Sequence, residues 1–351
     1  MTKDEQYMLR CIQLARQGAG YTAPNPMVGA VMVYNDTIIG EGYHERHGEA
    51  HAEVNCINRA IQNGQRDLLL KSTLYVSLEP CAHFGKTPPC ADLIILHQIP
   101  KVVIGCRDPF VQVDGKGIEK LKAAGVEVVI DVLKQQCEEL NRRFLTFHQK
   151  MRPYIILKWA QTKNQFITNH SSKRLLITNE FTNRLVHQWR SEEASILVGA
   201  NTALMDNPRL TNRYTNGKQP VRLVLDKDLK LSSSAQLMND DAPTIIFNYH
   251  KQQAHGQPQY VQIKSNASAV LQIINALHQL NIQSVLVEGG AQLLQGFIDE
   301  HLWDEARIIT NEELTADSGL PSPQLIHHQL ISEQQILSDT LKFYKNLQSK
   351  I

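Results

Sequence analysis

The sequence predicts two α/β domains. Three observations point there. The chain has 351 residues, more than the ~250 to 300 at which a single core stops growing. Short apolar runs alternate with helical stripes through both halves. All six cysteines precede residue 140, so the halves differ in chemistry. The 36 basic and 35 acidic side chains leave a net charge of +1, which lacks the electrostatic footprint of a protein that wraps nucleic acid or lies on an anionic membrane. An aromatic content of 6% also disfavours a base-stacking groove. No run approaches the ~20 apolar residues of a membrane span, and the first ten residues lack the apolar region of a secretory signal, so a cytoplasmic location is expected. In that reducing compartment the cysteines read as buried thiols, metal ligands or nucleophiles rather than a disulfide framework.

The elements follow in order. Met8, Cys11, Ile12 and Ala15 recur at helical spacing, and GAVMVY (29–34) with TIIGEGY (37–43) makes a hairpin turning at Asn35 and Asp36. Val54, Ile57 and Ile61 stripe a second helix. TLYVSLE (73–79), KVVIGC (101–106) and VEVVID (126–131) are strands separated by helices around 91–97 and 117–124. That rhythm implies a sheet covered by helices on both faces. One helix over 133–148 leads into Gln149, Lys150, Met151, Arg152 and Pro153, and the boundary falls there, giving domains 1–150 and 151–351. Beyond it come strand YIILKWA (154–160), a helix carrying Phe181, Leu185 and Trp189, and strands SILVGA (195–200), VRLVLD (221–226) and TIIFN (244–248). A helix striped by Val270, Ile273, Ile274 and Leu277 precedes strand SVLVE (284–288) and a helix from Ala291. The three serines from Ser232 read as loop, and the segment beyond 312 carries no functional signal.

His51 and Glu53 stand at the start of the second helix, Cys81 follows a strand, and Cys90 opens a later helix after Pro88 and Pro89. One imidazole and two thiolates suit Zn²⁺, and three protein ligands leave a fourth position for water, which marks a catalytic site. Zinc would lower the pKa of that water toward ~7. Two helical residues are turned by about 200°, so Glu53 would not share the ion with His51 and is free to carry protons. His-x-Glu followed by Pro-Cys-x-x-Cys is a known signature of zinc nucleobase deaminases, but here eight residues separate the cysteines. A competing pair, His47 with His51, is weakened by Gly48 between them.

Asn25-Pro26-Met27-Val28-Gly29, HERHGEAHAE (44–53) and EPCAHFGKTPPC (79–90) resemble the pyrimidine deaminase domain of the bifunctional deaminase-reductases of riboflavin biosynthesis. The long gap between the cysteines argues against cytidine, tRNA adenosine or DNA deaminases. The resemblance implies that His51, Cys81 and Cys90 bind one Zn²⁺, that Glu53 shuttles protons, and that Asn25, His44, Lys86 and Asp108 hold the pyrimidine and its phosphoribosyl group. Without the family, Asn25 and Asp108 read as turn residues before prolines, and His44 and Lys86 as solvated surface groups. Phe110 stands where some members have asparagine, so one sugar or phosphate contact is missing or replaced.

In the second half, Glu288-Gly289-Gly290 before a helix could bring backbone amides to a phosphate. Alone it is weak, and Asp206-Asn207-Pro208 alone is a turn. Together with KWA (158–160), ILVGANT (196–202), DNPRLTNR (206–213) and PVRLVLD (220–226), however, it resembles the reductase domain of the same family. The fold implied is therefore a cytidine-deaminase-like α/β/α sandwich followed by a dihydrofolate-reductase-like α/β domain. Carried over, Lys158, Asp206, Leu210 and Arg213 lie at the ribose phosphate substrate, Arg190 is a further phosphate contact, and Gly199, Glu288, Gly289 and Gly290 lie along NADPH. Thr162-Lys163-Asn164-Gln165 departs from the usual Ser/Thr-x-Asp-Gly turn, and Gln does not readily take glycine's left-handed conformation, so a reshaped turn is expected. This motivates an alternative: a deaminase with a weak or inactive reductase domain. The implied partners are small phosphoribosylaminopyrimidines, with neither nucleic acid nor membrane, and a second copy of the chain in a homodimer or larger homo-oligomer.

Overall fold

Thr2 starts the first helix: its hydroxyl accepts from the Glu5 amide, and the Glu5 carboxylate accepts from the Thr2 amide, a reciprocal cap. The helix, α1 (Lys3–Ala15), buries Met8, Cys11, Ile12 and Ala15, the stripe read from the sequence. In this computed structural model, which describes residues 1–84, 88–110, 113–169, 175–215 and 217–349, strands β1 (Gly29–Tyr34) and β2 (Thr37–Tyr43) form the expected antiparallel hairpin. Asn35 and Asp36 both take positive φ, 46° and 61°, the turn geometry that matches strand twist.

The next helix, α2 (Ala52–Gln62), differs from expectation in its buried face. Ala52, Glu53, Cys56, Ile57 and Ala60 are buried, whereas Val54 and Ile61 are half-buried. Glycines explain this. A Cβ on Gly42 would lie 2.4 Å from the Cys56 nitrogen, and one on Gly40 would lie 2.6 Å from the Cys56 oxygen. The β2 backbone therefore draws the small residues of α2 against it. Strand β3 (Thr73–Leu78), helix α3 (Cys90–Leu96), strand β4 (Lys101–Cys106), helix α4 (Lys116–Ala123) and strand β5 (Glu127–Val129) complete a sheet in the order β2-β1-β3-β4-β5. Alternation along β1 sends Ala30 and Met32 to a core with Ile57, Ile94 and Leu121, and sends Val31 and Val33 to another with Met8, Ile12 and Cys137. Helices thus cover both faces.

The single helix expected over 133–148 is two, α5 (Lys134–Leu140) and α6 (Arg142–Lys150). Asn141 between them is buried. Its side chain accepts from the Met27 amide at 2.8 Å and donates to the Met27 carbonyl at 2.9 Å, a tertiary bond pair that interrupts the helix. The chain divides into two compact units, Met1–Lys150 and Met151–Ile351.

The second unit contains β6 (Tyr154–Thr162), α7 (Glu180–Glu192), β7 (Ser195–Gly199), α8 (Ala200–Asp206), β8 (Val221–Leu225), β9 (Thr244–Asn248), β10 (Gln259–Gln262) and α9 (Ala269–Gln279). It continues with β11 (Ser284–Gly289), α10 (Ala291–Asp299), β12 (Glu305–Asn311), β13 (His328–Ile336) and β14 (Asp339–Asn346). Its sheet runs β10-β9-β8-β7-β11-β6-β12-β14-β13. Pairing is parallel from β10 to β12 and antiparallel at β14 and β13. Val270, Ile273, Ile274 and Leu277 of α9 enter its largest core, as their spacing predicts.

Two expectations change here, and the segment beyond 312, which carried no functional signal, gains a structural place. Phe181 is 51% exposed, and α7 instead buries Thr182, Val186, His187 and Trp189. The segment beyond 312 supplies the hairpin of β13 and β14, which extends the sheet. Gln165 does take the left-handed region, with φ 64°. The turn is closed by the Thr162 hydroxyl, which donates to Asn164 Oδ1 at 2.8 Å and accepts from the Phe166 amide at 3.0 Å. Asn164 in turn bonds the Ala316 backbone on both sides. Tertiary hydrogen bonds thus offset the ~1 to 2 kcal/mol cost of a left-handed residue.

Candidate active sites

Cys81 follows β3 after Glu79 and Pro80, Cys90 is the first residue of α3, and His51 is the N-cap of α2, so three element ends meet. His51 Nδ1 lies 3.6 Å from Cys81 Sγ and 3.3 Å from Cys90 Sγ. Zinc bonds of ~2.0 to 2.1 Å to nitrogen and ~2.3 Å to sulfur at a tetrahedral angle separate the two ligand atoms by about 3.5 Å. The three donors therefore fit the ion, and they are the group found with metal-holding geometry among the described residues. The Cys90 amide also donates to Cys81 Sγ at 3.3 Å, which favours a thiolate there.

Glu53, one turn position into α2, is 3% exposed. Burial pushes its carboxyl up to about 7, partly countered by His51. His44 is buried, not the solvated group its sequence context suggests. Its Nδ1 faces the Ala50 carbonyl at 3.0 Å, and its Nε2 faces Asn25 Nδ2 at 3.2 Å. Burial lowers its pKa, so the ring is neutral, with Nδ1 as donor and Nε2 as acceptor. The His44 and His51 rings stand edge to face, 5.3 Å apart. Asn25 and His44 are thus brought to the metal-ligating set.

Asp108 is buried in the loop after β4, and burial raises its carboxyl to about 7. Lys86 lies outside the described residues. Phe110 packs edge-on against His83 at 5.9 Å and His148 at 5.1 Å, an aromatic cluster at the position where a sugar or phosphate contact was expected to be missing or replaced. Sequence reasoning passed over Glu79, a buried carboxylate that accepts from four backbone amides of the 108–118 segment.

In the second unit the carboxyl ends of β6, β7 and β11 lie side by side, the place where open parallel sheets bind ligands. Glu288 on β11 takes Arg190 of α7 in a bidentate pair, 2.7 and 2.6 Å, and lies 3.8 Å from Lys158 Nζ of β6. Burial alone would raise the Glu288 carboxyl, but Arg190 and Lys158 bring it down to about 2. Glu288 therefore sits with two residues expected at the ribose phosphate. His187, fully buried, accepts the Arg213 amide on Nδ1 at 3.1 Å, and its Nε2 lies 3.3 Å from the Arg213 guanidinium. Neither His187 nor Glu79 has a sequence signal beyond its place beside a motif.

Gly199 is the N-cap of α8, and Gly290, φ 80°, is the N-cap of α10. A Cβ on Gly199 would meet nothing closer than 3.9 Å, which leaves an open backbone cradle, while one on Gly289 would strike Thr202 at 2.8 Å. Two helix N-termini beside open glycine backbone suit the pyrophosphate of a dinucleotide. Half-buried Asp206 closes α8. The Leu210 side chain lies in a core with Ile196, Val198 and Val224, so only its backbone, at φ 53°, can meet a ligand.

Residues 1–106 match the family described as the cytidine and deoxycytidylate deaminase zinc-binding region, and residues 153–312 match the RibD C-terminal domain. The riboflavin biosynthesis protein RibD of Aquifex aeolicus is 39% identical over 311 residues, covering 86% of this chain and 85% of its own. The chain belongs to the bifunctional deaminase-reductase family of riboflavin biosynthesis. RibD of Bacillus amyloliquefaciens is 40% identical over 311 residues, covering 86% of this chain and 82% of its own. A solved diaminohydroxyphosphoribosylaminopyrimidine deaminase/5-amino-6-(5-phosphoribosylamino)uracil reductase from Thermotoga maritima is 36% identical with a TM-score of 0.88, covering 98% of this chain and 99% of that one. Acinetobacter baumannii RibD is 30% identical with a TM-score of 0.90 and 99% coverage of both chains. As a member of this family the chain is an enzyme with hydrolase and oxidoreductase activities, a zinc-binding deaminase domain and an NADPH-dependent reductase domain. No helix among the described residues is long and apolar enough to cross a membrane.

Proposed function

We propose that residues 1–150 deaminate 2,5-diamino-6-(5-phosphoribosylamino)pyrimidin-4-one by hydrolysis and that residues 151–351 then reduce its ribosyl group to ribityl with NADPH. The observation that carries this reading is the convergence of His51, Cys81 and Cys90 with buried Glu53, in a chain whose second unit places a glycine cradle beside a cationic cluster. When bound, zinc acidifies water to a pKa of about 7 and so supplies a nucleophile at neutral pH. Glu53 takes the water proton on its carboxylate and delivers it to the leaving amino nitrogen, a role that its buried place at the start of α2, beside His51, allows. Asn25, fixed by donating to His44, turns its Oδ1 toward a pyrimidine N–H. Asp108 and Lys86 hold the phosphoribosyl side.

In the second unit NADPH supplies hydride. Gly199 and Gly290 leave room for its pyrophosphate, and Gly289 lets Thr202 pack against the turn between them. Arg213 binds the ribose phosphate, Lys158 and Arg190 add charge held in place by Glu288, and Asp206 orients the sugar hydroxyls. Glu288 thus acts on the substrate side as well as beside the cofactor. Gln165 takes the left-handed region that a glycine would, which meets the objection on which the weak-reductase alternative rested. Supplying the diaminopyrimidinone and following ammonia release and NADPH oxidation separately tests both steps. Ammonia without NADPH oxidation would leave a deaminase alone. The proposed location is the cytoplasm. The proposed assembly is a homo-oligomer paired along β13, a nine-residue edge strand exposed along nearly its whole length; sedimentation of the full chain checks it.

A further inference from the structure

Glu79 lies between the metal-ligating loop and the segment that carries Asp108. Its two oxygens share four donors evenly. Oε2 accepts from the amides of Asp108 at 3.4 Å and Gly115 at 3.1 Å. Oε1 accepts from Gly117 at 3.0 Å and Ile118 at 3.2 Å. Gly115 is the N-cap of α4, so the carboxylate caps that helix from another element and satisfies amides that have no partner within it. The approach is close, since a Cβ on Gly117 would lie 2.0 Å from the Pro80 carbonyl oxygen. Asp108 is locked in series, because its Oδ1 accepts from the Phe110 amide at 2.9 Å while its own amide is held by Glu79.

We infer that Glu79 is a positioning residue for deamination, one that caps α4 and so fixes Asp108 relative to the end of β3, where Cys81 follows. An amide cannot replace it. Whichever way a glutamine side chain is flipped, its NH₂ faces two backbone N–H donors, because each oxygen position serves two. The inference rests on the proposed role of Asp108 at the substrate.

The test uses the full chain, whose reductase serves as an internal control. Glu79→Gln should keep one zinc per chain and the parent rate of NADPH oxidation with the deaminated substrate. Its deamination kcat/KM should fall by about 10²-fold, the scale of a misplaced contact, mainly as a raised KM. In the double variant with Asp108→Asn, the loss should match Asp108→Asn alone within about 2-fold, because Glu79 acts through that loop. Zinc loss in Glu79→Gln, or losses that multiply in the double variant, overturns the inference. If Glu79→Gln loses both activities, Glu79→Asp takes its place in the same cycle, keeping the charge while shortening its reach, and is judged by the same two criteria. An Asp108→Asn protein that deaminates normally overturns the placing of Asp108 itself, whereas a strong Asp108→Asn effect with multiplying losses overturns only the role of Glu79.

Discussion

At the scale of single residues, the deaminase site separates holding a metal from moving a proton. Cys81→Ser or Cys90→Ser should lose zinc and deamination together, since a protonated hydroxyl is a poor ligand beside thiolates; elemental analysis of folded protein measures it. Glu53→Gln should keep the metal and lose ~10² to 10⁴ in turnover, because an amide cannot take a proton. His187 makes a pH prediction. Burial, then the charges of Arg190 and Arg213, hold its pKa down to about 4, with Lys158 adding to them and Glu288 opposing. Folding therefore disfavours the protonated ring. The stability this contributes is full above the ordinary value of ~6.5 and is lost as pH falls through about 4. Thermal unfolding of the full chain should drop between pH 6.5 and 4, and His187→Gln, which still offers an acceptor to the Arg213 amide, should flatten that drop.

At the scale of elements, packing of α2 on β2 sets where His51 and Glu53 point. Gly42 meets the helix at its first turns, with its missing Cβ only 2.6 Å from the Ala52 oxygen. Gly42→Ala should push α2 outward, cost about 2 to 3 kcal/mol as an overpacked core and weaken zinc binding. Competition with a chelator reads the second effect, and an unchanged zinc affinity would show that the helix start is held by other contacts. Asn141 shows the same logic without a ligand. Periodicity alone continues the helix through it, but two hydrogen bonds to Met27 repay the break.

At the scale of the molecule, each unit has its own cores and its own candidate site. All proposed metal ligands precede residue 91, while Lys158, Asp206, Arg213 and Glu288 follow residue 150. Glu53→Gln protein given the deaminated ribosylaminouracil phosphate should therefore still oxidise NADPH. Asp206→Asn should release ammonia at the parent rate and reduce slowly, because an amide cannot exchange protons with the sugar hydroxyls. Loss of both activities in either variant would show that the two halves do not act independently.

The sequence by itself determined the elements whose signal is local: the α1 and α9 stripes, the Asn35-Asp36 hairpin and the cysteine and histidine placement that marks the candidate zinc ligands. Each needs only near neighbours in the chain or an unusual residue type. The tertiary structure decided what depends on partners far apart in sequence. Glycines of β2 chose which face of α2 is buried. Hydrogen bonds to Ala316 hold the Thr162–Gln165 turn that propensity argued against. Glu288 was drawn to Arg190, 98 residues away, and Glu79 to the start of α4. A carboxylate's role is set by the donors and charges that folding brings to it, and no periodicity in the chain encodes them.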